Sequence, residues 1–366
     1  MIDRDVVRRV TADLDLREPN RIALETVVLQ LHAHETREGY ASDTFEGVID
    51  SAVGVGKTYI MAACMDYFAE AEGIRDFAVV VPGQTILQKT LRNFSEGDSK
   101  SLLPGMDIRP VLITSENFRT PAFRSVMDDD EQVRLYLFTV QSLLKPTTKA
   151  HRRTHKYQET LGEAFYEHLG GLTDLIVFAD EHHVYDAKKF SAAIRDLKPR
   201  ALIGLTGTPT KKMEDRVIYR YPLAAAIADE YVKTPVIVGR RDDRDDAKIK
   251  LLDGVHLLDL KQESLDRFCE ARSLPTVNAV MLVVAQSIEE AGEYAALLES
   301  EDFEDGRFVG RVLEIHSKSA DEELAKLDAV EDPDSSVRVI VAVDKLKEGW
   351  DVKNVYVIAS MRASVS

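Results

Sequence analysis

Gly47-Val48-Ile49-Asp50 leads directly into Ser51-Ala52-Val53-Gly54-Val55-Gly56-Lys57-Thr58, and a helical stretch over residues 59–69 follows. A short apolar strand, a loop of small residues and a helix make a unit that cradles phosphate groups. Glycine at 54 and 56 lets the backbone curl, so that successive N–H groups, that of Val55 among them, converge on a β-phosphate. The Lys57 ammonium then reaches β and γ oxygens, and the Thr58 hydroxyl can hold Mg²⁺. Ser51 stands where the strict pattern has glycine.

Apolar runs of strand length recur outward from this loop: residues 47–50, 77–81, 135–140, 175–179 and 201–205, then 279–285, 312–315, 337–341 and 355–358. Most are continuous rather than alternating, as in strands covered by helices on both faces. The expected fold is therefore α/β with largely parallel sheets. Residues 239–246 (GRRDDRDD) are the most polar stretch and separate the first set of strands from the second. They predict two lobes, 1–236 and 250–366, joined by a linker over 237–249; the alternative is one sheet with a charged surface loop.

The 366 residues carry 63 acidic against 47 basic side chains, a net charge of −16. So acidic a chain is not a general nucleic-acid coat, and any phosphate-backbone contact must come from a local basic patch. Residues 145–156 (KPTTKAHRRTHK), with Arg152 and Arg153 at their centre, are such a patch, read either as a solvated loop or as a phosphate contact. Two cysteines, Cys64 and Cys269, are too few for a disulfide framework or a zinc cage. The acidic start of the chain is no signal peptide, and no apolar run approaches the roughly 20 residues that span a bilayer. The expectation is a cytoplasmic protein with no membrane partner.

The strand before Asp180-Glu181-His182-His183 sets two carboxylates at its tip, beside where a phosphate loop would lie. Asp180 would hold Mg²⁺ through its waters, and Glu181 would orient and deprotonate the attacking water. Neighbouring histidines in extended chain point apart, so His183 reads better as a hydrogen-bonding link in the catalytic site than as a metal ligand.

Taken together, Gly54-Val55-Gly56-Lys57-Thr58, Asp180-Glu181-His182-His183 and Leu205-Thr206-Gly207-Thr208-Pro209 resemble, in order, motifs I, II and III of superfamily 2 DEAD/DEAH-box helicases. The chain most resembles the restriction subunit (Res) of type III restriction enzymes. Lys345-Leu346-Lys347-Glu348-Gly349-Trp350-Asp351-Val352 is similar to that family's motif V, which implies that Gly349 and Asp351 approach the ribose and phosphates. Asn20, in Leu16-Arg17-Glu18-Pro19-Asn20-Arg21, holds the position of the family's adenine-reading glutamine. Val81-Pro82-Gly83-Gln84-Thr85 resembles motif Ia and Thr139-Val140-Gln141-Ser142 motif Ib, which implies nucleic-acid backbone contacts by Gln84, Thr85, Thr139 and Gln141.

The resemblance implies two RecA-like parallel-sheet lobes, ATP and Mg²⁺ as ligands, and ATP bound between the lobes. Thr206 and Thr208 would couple the nucleotide state to the grip on nucleic acid. The family's arginine-bearing motif VI is not found after motif V, so the second lobe is expected to be incomplete at its C-terminus. Either the chain is a fragment, which is the favoured reading, or another chain supplies the arginines. Such arginines contribute about 10³ to 10⁵ in rate, so the isolated chain is expected to bind ATP and hydrolyse it weakly. No nuclease-type triad follows Pro333-Asp334.

The implied function is a DNA-dependent ATPase motor of a restriction-like or phage-defence complex acting on double-stranded DNA, with methyltransferase or nuclease subunits as partners. Three alternatives stand beside it: a helicase that unwinds RNA or DNA, a nucleotide-retaining module, and an ATP-gated scaffold.

Overall fold

The computed structural model describes all residues except 1, 38–42, 119, 121–125, 127–128, 140–164, 183–193, 240–245, 317–318, 320–322, 324–325, 328, 344–351 and 362–366. The chain divides into two compact units, Met1–Val236 and Ile237–Ser366.

The first unit opens with two helices, α1 (Arg4–Asp13) and α2 (Glu18–Glu35), followed by β1 (Phe45–Ser51) and α3 (Lys57–Ala71). Next come β2 (Asp76–Val81), α4 (Gln84–Asn93), β3 (Val111–Ile113), β4 (Arg134–Thr139), β5 (Ile176–Asp180), β6 (Ala201–Thr206), β7 (Val217–Tyr221) and α5 (Leu223–Ala228). The seven strands form one sheet in the order β3-β4-β2-β5-β6-β1-β7. Every pairing in it is parallel.

Side-chain alternation divides the core in two. Phe77, Val79, Val81, Ile176 and Phe178 pack with buried residues of α1, α2 and α3, whereas Ala78, Val80, Val177 and Ala179 face a second cluster with Phe165 and Leu169. Ile60 through Ala69 of α3 are all buried. A helix buried on every side, apolar there but for Asp66, belongs inside a layered domain, and that is where α3 lies. Asp3 starts α1 by accepting hydrogen bonds from the N–H groups of Asp5 and Val6.

The second unit contains α6 (Ala247–Arg272), β8 (Val280–Ala285), α7 (Ile288–Leu298), β9 (Val312–Ile315), β10 (Val339–Val343) and β11 (Val355–Ser360). Its sheet has the order β11-β8-β10-β9, again wholly parallel. Asp246 caps α6 by accepting from Ile249 N at 3.2 Å, so residues 247–249 form a first helical turn rather than linker.

The parallel α/β expectation holds, with two strands added. β3 has only three residues, and β7 carries Arg220 and three half-buried side chains at the sheet edge. β3, though wholly apolar, is too short to stand out, and β7 breaks its run at Arg220. Among the described residues no helix is long and apolar enough to cross a membrane.

Candidate nucleotide-binding site

Parallel pairing aligns the carboxyl ends of the central strands: Asp50 lies opposite Thr206, and Asp180 opposite Leu205. Ligands of open parallel sheets bind beyond these ends, where the crossovers part. Here β6 separates β1 from β5, so the loop after β1 and the acidic tip of β5 meet across one intervening strand.

The loop leaves β1 at Ser51 and turns through Gly54 (φ +84°) and Gly56 (φ +108°), both in the region that favours glycine. Gly56 caps α3 and its carbonyl accepts from Tyr59 N at 2.9 Å. Lys57 is the first residue of the helix and Thr58 the second, so both stand at an N-terminus whose free N–H groups favour an anion.

Three neighbours fix the loop. From α2, the amide of Asn20 donates to Val55 O at 3.1 Å, and Arg17 Nη1 donates to Gly54 O and Val55 O at 3.1 and 3.3 Å. The Arg17 guanidinium lies 4.7 Å from the centre of the Tyr231 ring. From the turn after β6, Gly207 comes so close that a Cβ would sit 3.2 Å from Ser51 O and 3.3 Å from Val53 Cγ2. From β5, Glu181 Oε1 accepts from Lys57 Nζ at 3.0 Å.

Glu181 reaches the lysine because the chain turns sharply at the end of β5. Its φ is +48°, a left-handed value that costs a side-chain-bearing residue free energy, and its N–H donates to Asp180 Oδ1 at 3.0 Å. Burial pushes the Asp180 carboxyl above the ordinary aspartate range, and the Lys57 ammonium opposes that shift. Asp50, 7 % exposed, is also raised by burial, with Arg220 at 3.4 Å acting against it. His182 is buried, with its ring over β6: a Cβ on Gly204 would lie 2.6 Å from His182 Cγ.

The structure thus brings Gly54, Val55, Gly56, Lys57, Thr58, Asn20, Asp180 and Glu181 to one place. Thr206 is fully buried beside them, and its hydroxyl accepts from Thr208 N at 3.1 Å. Gln84 and Thr85 are exposed at the start of α4, whereas Thr139, at the end of β4, is 3 % exposed. Gln141, Arg152, Arg153, His183, Gly349 and Asp351 lie outside the described residues. Arg17, Asp50, Tyr231 and Arg220 escaped the sequence reading. Arg17 acts on carbonyls 37 and 38 residues away, a pairing with no local signature.

A family model described as the type III restriction enzyme res subunit matches residues 13–211, more than half of the chain. The chain belongs to this family. By that membership the chain is a helicase-like ATPase core, and the matched span holds the loop after β1 and the acidic tip of β5. Among solved structures, the DUF1998 helicase MrfA bound to DNA and AMPPNP matches with a TM-score of 0.58 and 12 % identity over 98 % of this chain and 46 % of that one. MrfA bound to DNA alone gives a TM-score of 0.56 at 13 % identity, over 98 % and 47 %. At such identity the likeness is one of fold, and it makes the parallel sheets RecA-like; the chain spans about half the length of that helicase. No curated protein matches the chain in sequence.

Proposed function

We propose that the chain is the ATP-hydrolysing motor of a type III restriction-like or phage-defence complex, translocating on or remodelling duplex DNA. The observation that carries this reading is the 3.0 Å ion pair between Lys57 and Glu181. It puts a phosphate-loop lysine and a candidate general base at one point, at the ends of strands that are not neighbours.

A triphosphate entering the loop competes for the Lys57 ammonium. As the lysine turns to β and γ oxygens, the Glu181 carboxylate is released to orient the attacking water and take its proton. The ion pair thus gives way to a lysine on the phosphates and a carboxylate on the water. The Thr58 hydroxyl and the Asp180 carboxylate are hard oxygen donors of the kind Mg²⁺ accepts, and a raised, buried carboxyl gains from a nearby cation. Bound there, Mg²⁺ would neutralise charge on the phosphates. Gly207 touches the loop and the Thr206 hydroxyl holds the turn after β6, while the exposed Gln84 and Thr85 would meet the nucleic-acid backbone.

The test separates binding from chemistry. Lys57→Ala abolishes nucleotide binding, while Glu181→Gln keeps it and lowers turnover by about 10² to 10⁴. Tight binding by Lys57→Ala, or unchanged turnover in Glu181→Gln, refutes the assignment. A partner dependence is read from whether methyltransferase or nuclease subunits co-purify.

A further inference from the structure

We propose that Asn20 is a positioning residue of the phosphate loop and not a reader of the base, so that the site takes nucleoside triphosphates by their phosphates with little regard to the base. This rests on nucleotide binding at the loop, as proposed above. Asn20 is the third residue of α2 and is 2 % exposed. A side-chain amide tells adenine from guanine by presenting its oxygen to an amino group and its N–H to a ring nitrogen. Both ends of this amide are closed. Nδ2 donates to Val55 O at 3.1 Å, and Oδ1 is wholly buried with no hydrogen-bond partner. A base could reach that oxygen only by prising α2 from the loop. The two are already in tight contact, since a Cβ on Gly56 would stand 3.0 Å from Asn20 Nδ2.

The contact has a use of its own. In a planar trans peptide the carbonyl and the following N–H point to opposite sides. Arg17 and Asn20 draw the carbonyls of Gly54 and Val55 toward α2. The N–H groups of Val55 and Gly56 are thereby turned the other way, toward the interior of the loop where phosphates are held. Near the loop the flat pair of Arg17 and Tyr231 offers a base a stacking surface, and stacking on such surfaces serves every base alike.

The experiment measures binding of ATP, GTP and inorganic tripolyphosphate, each with Mg²⁺, to the whole chain by competition with a fluorescent nucleotide. The wild type binds ATP and GTP within about threefold of each other. Asn20→Ala weakens all three ligands by the same factor, about tenfold, as expected for a lost hydrogen bond to the loop. Arg17→Ala, which removes the exposed half of the same clamp, weakens tripolyphosphate by a like factor and weakens ATP and GTP by at least that factor and equally, since the stacking lost with it serves both bases alike. The proposal is overturned if the wild type prefers ATP to GTP by more than about tenfold and Asn20→Ala erases that preference while tripolyphosphate binds as before. Failure of the nucleotide site itself looks different: Lys57→Ala would then bind all three ligands as the wild type does.

Discussion

Gly56 shows how much of this site is decided by single backbone angles. With φ at +108° and Asn20 Nδ2 at 3.0 Å from where a Cβ would be, the position refuses a side chain on two counts. Gly73, at φ +70° with nothing within 4 Å of its virtual Cβ, refuses on one. The pair therefore separates backbone strain from damage to the loop. Gly73→Ala should cost about 1–2 kcal/mol in unfolding free energy, the price of a left-handed alanine, and leave nucleotide affinity unchanged. Gly56→Ala should cost at least as much and weaken nucleotide binding by about tenfold or more, because the strain is relieved by moving the very N–H groups that hold phosphate. Equal affinities in the two variants, measured by titration beside thermal unfolding, would deny Gly56 its place in the loop. Glu181, at φ +48°, stores strain of the same kind on the other side of the site.

At the scale of elements, α3 is the beam on which the site stands, and it contains one buried charge. Asp66, 1 % exposed, accepts from Asp107 N at 3.2 Å and Ile108 N at 3.1 Å and so ties the helix to the segment before β3. Burial outweighs those hydrogen bonds and pushes its carboxyl from 3.8 up to about 6. The folded chain thus keeps a proton that the unfolded chain has lost between these values. Stability from this group is full below about pH 4 and falls as the pH rises to about 6, by about 3 kcal/mol at 1.36 kcal/mol per unit. Asp66→Asn stays neutral throughout. The difference in unfolding free energy between wild type and Asp66→Asn should therefore shrink by about that amount from pH 4 to pH 7, and a difference independent of pH would show that folding leaves the Asp66 carboxyl unshifted. Elements also set the limit of what a sequence discloses. The buried strands β2, β5 and β6 announce themselves because burial on both faces demands unbroken apolar runs, whereas β1, with Glu46 and Asp50 in it, is marked by the loop it leads into. β3 and β7 sit at the edges, where β3 has an apolar run of only three residues and β7 breaks its run at Arg220. In the same way Lys57, Asp180 and Glu181 were legible because their chemistry needs fixed residue types at strand ends. Arg17 and Tyr231 were not, since their part follows only from the approach of α2 and the chain after α5 to the loop.

For the whole molecule, charge is the dominant constraint on a DNA partner. At −16 the chain repels a polyanion at long range, so any affinity must be collected by a few local contacts. Gln84 and Thr85 lie exposed at the start of α4, a helix N-terminus that can meet phosphate with free N–H groups, and Lys89 one turn on is near enough to bear on Asp180. Contacts of this sort do not read sequence. Random and specific duplexes should accordingly bind alike at this surface, and binding should weaken with salt in proportion to the phosphates neutralised. For about four phosphates the logarithmic slope is about −3.6, so raising salt from 100 to 200 mM should cost about tenfold in affinity. ATP turnover stimulated by DNA should fall with that occupancy, while turnover without DNA, which depends on the enclosed Lys57 and Glu181, should change little over the same range. Fluorescence anisotropy with a labelled duplex gives the slope and a coupled ATPase assay gives the two rates. A shallow slope with strong sequence preference would mean that DNA is read elsewhere by base contacts, and α4 would lose its assigned part in the motor.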